Sequence, residues 1–307
     1  MKQLPDIKFR LISGFSIAGL LFAAVFLLPD AGIPVLLALL GVVLSLEFYK
    51  LESAAGIPNF NVLGTLATVA LVAVAWWTGV RDPATAGTWD AVVLFLTTIA
   101  VLLRQFPQKN NPHPIQTIAG TLLGVLYIGL LWSCLAKLLV FGRPSAAEAS
   151  IWTVSGLHLP GRWLLLYSLF VAKFTDIGAY LVGCAFGRHK LIPRISPGKS
   201  WEGVVGGIAI GTLVGCIVVH FVPAANYAPY GLTVPRAIPL GICLAVCTVV
   251  GDLTESLFKR ASGLKDSASA IPGMGGLLDV VDSILFAAPA FYLYLRLAAA
   301  LGWAPAA

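Results

Sequence analysis

Charge is what this chain has least of. Asp, Glu, Lys and Arg make up 11% of its 307 residues against 58% apolar residues, and the mean hydropathy is +0.90. That excludes an ordinary soluble globule, whose water-facing surface needs about twice that share of charge. Cysteine is also sparse. Cys134, Cys184, Cys216, Cys243 and Cys247 are odd in number, have no CxxC spacing and all fall in apolar stretches. A disulfide framework or a zinc site is thereby excluded, and they read as small packing residues. His113, His158, His189 and His220 form no ligand spacing and read as loop or packing residues. With no internal repeat or low-complexity tract, residues 1–307 read as a single integral membrane domain.

What the chain does have is apolar runs of bilayer length. Crossing about 30 Å of hydrocarbon takes about 20 apolar residues, and only helices do so in a chain of this pattern. Nine spans are expected: 10–28, 31–51, 61–80, 89–106, 115–141, 161–186, 203–222, 237–258 and 283–302. Breakers fall between them at Pro29-Asp30, Ile57-Pro58-Asn59, Arg81-Asp82-Pro83, Asn110-Asn111-Pro112, Pro229 and Pro272-Gly273. The expected fold is an all-α polytopic membrane protein of about nine transmembrane helices. Lys2, Lys8 and Arg10 could open a signal peptide, but no clear small-x-small cleavage site follows, so the run reads as a retained first helix.

The net charge of +6 reads as topology rather than as a nucleic-acid footprint. With the N-terminus inside, thirteen Lys and Arg residues fall in cytoplasmic segments against four in the opposite loops, Arg81, Arg143, Arg162 and Arg236. Lys137, Lys173 and Arg296 stay within spans. The N-terminus is therefore expected in the cytoplasm. Residues 1–141 read as a scaffold whose few charges sit at span ends, and 142–307 as the catalytic half. Gly120 and Gly124, and then Gly203, Gly207 and Gly211, give small-x-x-x-small patterns suited to close helix packing.

The scarce charge is concentrated at 251–283, which holds five acidic and three basic residues. On a helix, Asp252, Glu255, Ser256 and Lys259 share a face. Asp279 and Asp282 share another at i, i+3 as the last span begins. Those two alone could equally cap a helix N-terminus, where negative charge is favoured. With Asp252 converging, the three make a hard-oxygen cage suited to Mg²⁺. Between them lie Lys259, Arg260, Lys265 and the turn Pro272-Gly273-Met274-Gly275-Gly276, whose backbone N–H groups can approach an anion closely. These are parts for handling a metal-bound polyphosphate.

A second polar block follows the sixth span. Gly198-Lys199-Ser200 invites a P-loop reading, but Pro193 stands where that motif needs its first glycine, so phosphate contact by Lys199 and Ser200 survives instead. Glu202 would close a capping interaction or steer Lys199. Lys173 and Asp176, an i, i+3 pair inside the sixth span, either neutralise each other or line a polar cavity.

Ser256-x-x-Lys259-Arg260, Lys265-Asp266, Pro272-Gly273-x-Gly275-Gly276 and Asp279-x-x-Asp282, in this order and spacing, resemble the signature of phosphatidate cytidylyltransferases, or CDP-diacylglycerol synthases. Gly178-Ala179-Tyr180 and Ile195-Ser196-Pro197-x-Lys199-Ser200-x-Glu202-Gly203 resemble a second motif of that family. Two positions depart from it: Met274 stands for a histidine, and Val280 for an arginine. The resemblance implies Mg²⁺-dependent transfer of a cytidylyl group from CTP to phosphatidic acid, giving CDP-diacylglycerol and pyrophosphate. Asp252, Lys259, Asp279 and Asp282 would be catalytic, with the three aspartates on the metal. Ser196, Lys199, Ser200, Glu202, Arg260, Lys265, Asp266, Gly273, Gly275 and Gly276 would bind substrate. The lipid bilayer is the other partner, nucleic acid is not, and a homodimer is left open. A CTP-dependent polyprenol or lipid kinase is the alternative enzyme. An ion-coupled transporter is the alternative of another class, though its polar residues should spread along a path rather than gather on one side.

Overall fold

The computed structural model describes residues 19, 22–81, 85–142, 153–154, 157–223, 227, 230–264, 266–268 and 275–303. Its helices are α1 (Gly32–Ala54), α2 (Asn61–Arg81), α3 (Ala86–Gln105), α4 (Pro114–Gly124), α5 (Leu131–Val140), α6 (Leu159–Phe186), α7 (Trp201–Phe221), α8 (Val234–Ala261), α9 (Leu278–Val281) and α10 (Ile284–Ala300). A π-helical turn, Val125–Leu130, joins α4 to α5 as one continuous rod. Among the described residues seven helices are long and apolar enough to cross a membrane. They match the predicted spans from the second to the eighth. The ninth, α10, is apolar but runs only 17 residues. The first, 10–28, lies largely outside the described residues.

The predicted all-α architecture holds, with two small antiparallel ribbons added. Thr153–Val154 (β1) pairs with Leu157–His158 (β2). Lys190–Ile192 (β3) pairs with Ser196–Ser200 (β4), setting Lys190 opposite Ser200 and Ile192 opposite Ser196. The sequence carries no strand pattern for the second ribbon, since Pro193, Pro197 and Gly198 interrupt it.

The chain divides into two compact units that are not its sequence halves. One comprises Met1–Thr78, Thr85–Ala136 and Phe258–Val281, and the other Gly79–Ala84, Lys137–Leu257 and Asp282–Ala307. Within the first, Tyr49 of α1 lies between Gly64 and Gly124, and a Cβ on either would run into its ring. Its hydroxyl donates to the Thr121 carbonyl at 2.9 Å. Gly120 leaves room for the Glu52 carboxyl group, so the predicted small-residue face of α4 is a packing face. Phe48, Tyr127 and Phe258 pack ring on ring with centroids 5.1 to 5.4 Å apart, fixing the end of α8 in this unit.

The second unit is built on α6 against α7. Gly203, Gly207, Gly211 and Gly215 form the buried stripe of α7. Cβ atoms there would meet the backbone or side chains of Ala179, Thr175, Val171 and Tyr167. Lipid chains are as apolar as side chains, so this backbone-close packing, rather than exclusion of water, holds the pair together. The sequence reading saw three of these four glycines.

Candidate active site

Two polar clusters emerge, one in each unit. In the second unit Gly251 lets α8 press against the turn before α10, where a Cβ would come within 2.5 Å of the Asp282 carbonyl oxygen. That approach brings the next residue, Asp252, into electrostatic range of Asp282. Asp252 pairs with Lys199 at 2.6 Å and is reached by the Ser256 hydroxyl at 3.4 Å.

Lys199 reaches Asp252 because both ends of its ribbon are fixed. Ser200, buried, caps α7 by accepting from the Gly203 N–H at 3.2 Å. The Glu202 carboxylate reaches back to the N–H groups of Arg188 and His189 at 3.1 and 3.2 Å and also binds the His189 ring. Trp201 N–H donates to the His189 carbonyl at 2.9 Å. Glu202 therefore ties down the ribbon rather than steering Lys199, whose partner is Asp252. Ser196 begins β4, half-buried opposite Ile192.

Lys173 and Asp176 prove to be part of this cluster. The Lys173 ammonium donates to the Ser283 hydroxyl at 3.0 Å and pairs with Asp176 at 3.4 Å, while Ser283 donates to Asp176 at 2.8 Å. Ser283 N–H donates to Asp282 at 2.6 Å. The Asp282 carboxyl is pushed up to about 7, first by burial and next by the negative charge of Asp252, with Asp176 adding to it and Lys173 opposing. Three carboxylates thus crowd against two lysines. Ser283 was missed; a serine beside Asp282 at a helix start is too common a feature to single out.

In the first unit Asp279 is held by the Lys259 ammonium at 2.7 Å, by Ser267 through its N–H at 2.8 Å and its hydroxyl at 2.7 Å, and by Gly276 N–H at 2.8 Å. Burial opposes ionisation of Asp279. The Lys259 hydrogen bond leads the contacts that outweigh it, with Gly276 and Ser267, and holds its carboxyl below the usual carboxylate range. Gly275 takes a left-handed φ of +95°, with the Asp279 carboxylate where a side chain would go. Of the expected aspartates, then, Asp252 and Asp282 come together with Asp176 in one unit, while Asp279 belongs to the other, paired with Lys259. Arg260 and Asp266 lie exposed. Lys265, Gly273 and Met274 are outside the described residues. Among the described residues no set of three or more His, Cys, Asp or Glu is already arranged as a metal-binding group.

The first unit holds one further participant. Glu47, on α1, accepts from Leu277 N–H at 3.0 Å, Leu278 N–H at 2.8 Å and the Ser267 hydroxyl at 3.2 Å. The sequence reading placed the scaffold's charges at span ends and passed over Glu47. An acidic residue four positions inside a predicted span was the signal that could have found it.

Many apolar helices, lysines set against carboxylates and a glycine turn beside an aspartate define a polytopic membrane protein equipped for anionic chemistry. The family model described as the cytidylyltransferase family matches residues 8–298. The chain is 46% identical over 135 residues to a phosphatidate cytidylyltransferase of Haemophilus influenzae, a match covering 44% of this chain and 46% of that protein. It is 37% identical over 231 residues to the phosphatidate cytidylyltransferase of Pseudomonas aeruginosa, covering 69% and 79%. With that of Staphylococcus aureus it shares 30% over 240 residues, covering 77% and 83%. This chain belongs to the cytidylyltransferase family.

Proposed function

We propose that this protein transfers a cytidylyl group from CTP to phosphatidic acid, releasing pyrophosphate and leaving CDP-diacylglycerol in the bilayer. The observation that carries the reading is the family match over residues 8–298, which contains both polar clusters. The phosphate monoester of the lipid is already an anion at neutral pH, so no dedicated base is required of the protein. Its oxygen bonds to the α-phosphorus of CTP as the bond to the bridging oxygen of pyrophosphate breaks. What the site must supply is in-line placement and charge neutralisation.

Lys199, delivered by the fixed ribbon, and Lys259, held on Asp279, are the cations suited to phosphate oxygens, with Arg260 and Lys265 nearby in sequence. Asp252 and Asp282 would hold Mg²⁺. The fit rests on the donor set: Asp252 and Asp282 are hard oxygen donors gathered with Asp176, and Asp282 is pushed up to about 7 first by burial and next by the charge of Asp252. Bound there, Mg²⁺ would neutralise the triphosphate. Lys173 and Ser283 keep Asp176 in place beside them.

The excess of Lys and Arg on one side supports a bacterial inner membrane with the N-terminus and the loops around Lys199 and Lys259 on the cytoplasmic side, where CTP is. Purified protein given labelled CTP, phosphatidic acid and Mg²⁺ should put label into the lipid. Label appearing only as free CDP with a phosphorylated lipid would instead indicate a kinase. A reporter fused after Ser262 should lie in the cytoplasm and one within 142–160 outside; the reverse would put the site on the wrong face.

A further inference from the structure

Glu47 stands well inside α1, seven residues before its last residue, Ala54, or roughly 10 Å at 1.5 Å per residue. A carboxylate at that depth is costly unless its oxygens are engaged. Both are. Oε1 takes the Leu277 N–H, Oε2 takes the Leu278 N–H, and the Ser267 hydroxyl lies 3.2 Å from Oε2. The side chain is 4% exposed. Irregular backbone entering a helical membrane protein must find such partners, because lipid offers none.

The same short stretch carries Asp279. Ser267 and Gly276, which hold the Asp279 carboxylate, are also the residues against which Glu47 packs. The Ser267 hydroxyl lies 2.7 Å from Asp279 and 3.2 Å from Glu47, and its single proton can serve only one of them at a time. Gly276 has no space for a side chain, since a Cβ would strike Ser267 Oγ and come within 2.5 Å of Glu47 Oε2. Glu47 grips the backbone at Leu277 and Leu278, between Gly276 and Asp279.

We infer that Glu47, outside both sequence motifs, is a positioning residue that fixes the turn at 275–279 and thereby orients Asp279 and the Lys259 ammonium it holds. This rests on the proposed cytidylyl transfer only for its catalytic consequence, and the placement of the turn can be read independently of activity.

The test is Glu47→Gln. The carboxamide keeps the shape but offers one acceptor oxygen, and its NH₂ group must face a backbone N–H, so Leu277 or Leu278 loses its partner. Hydrogen exchange of the peptide 275–281 should speed up at least tenfold while α2 stays unchanged. The kcat should fall at least thirtyfold, with KM for CTP and phosphatidic acid within threefold of the parent. Glu47→Asp, charged but one methylene short, should recover part of kcat. Ser267→Ala removes the shared hydroxyl and leaves both backbone bonds; it serves if Glu47→Gln fails to insert, and should cost kcat about threefold to tenfold with the same local exchange signature. Unchanged exchange at 275–281, faster exchange throughout the chain, or faster local exchange with unchanged kcat would each overturn the inference. If the parent makes no CDP-diacylglycerol, the proposed reaction fails while the exchange result still decides whether Glu47 holds the turn.

Discussion

Replacing Asp279 by asparagine should destabilise the protein by about 4 kcal/mol, and the structure says why. The Lys259–Asp279 pair is buried, with side chains 14% and 7% exposed, so water screens it little. Removing one partner of such a pair costs about 3–5 kcal/mol, because the other charge is left without compensation. The asparagine oxygen can still accept from Ser267 and Gly276, but its NH₂ group then faces the Lys259 ammonium. At roughly 2–4 °C per kcal/mol for a chain of a few hundred residues, the unfolding midpoint in detergent should drop by about 10 °C. Adding Lys259→Met removes the buried ammonium that has lost Asp279, so the double variant should be more stable than Asp279→Asn alone, with a coupling of about 1–3 kcal/mol. Turnover should remain lost in both, since stability is restored without the charges proposed to handle phosphate. Acid titration gives a second reading. Asp279 ionises below its unfolded value of about 4, so its stabilisation is complete above that value and is lost as pH falls through the lower folded one. The parent should therefore lose stability below about pH 4 by an increment that Asp279→Asn lacks. Thermal unfolding followed by tryptophan fluorescence measures all three. An unchanged midpoint in Asp279→Asn, or a double variant worse than the sum of the singles, would refute the reasoning.

Asp252→Asn and Asp282→Asn should each abolish Mg²⁺-dependent turnover while the protein still inserts; near-normal activity in both would remove the proposed metal site. Gly211→Leu should lower the unfolding midpoint by the equivalent of at least about 1–3 kcal/mol, because even a Cβ there meets Thr175 Oγ1 and lies 3.1 Å from the Val171 carbonyl; an unchanged midpoint would show that the α6–α7 contact is not tight. Met274→His should change kcat by less than about tenfold, roughly 1.4 kcal/mol of barrier, because the nucleophile arrives deprotonated. A parent that is inactive until the histidine is restored would overturn that account.

The spans were legible because crossing a bilayer depends on runs of about twenty apolar residues, a local and additive property. Seven predicted spans reappear as helices within a few residues of their expected ends. The glycine stripe of α7 was legible for a similar reason: spacing by four puts small residues on one face whatever packs there. The ribbon at 190–200 was not, because Pro193, Pro197 and Gly198 give it no strand pattern and Glu202, beyond its end, ties it down.

The sequence by itself determined that this is a polytopic helical membrane protein, that its scarce charge gathers in 251–283 and around Lys199, and that it carries motifs resembling the cytidylyltransferase signature. Tertiary structure decided the pairings. Lys199 goes to Asp252 because a fixed ribbon delivers it there, and Asp176 joins Asp282 through Ser283 because α6 and the start of α10 meet. Lys259 is committed to Asp279, and that turn is held by Glu47, 230 residues away from Leu277 in the chain. Hydropathy is summed along the chain and can be read from it. A charge in a membrane protein finds its partner in space, and the partner is set by which helices pack together.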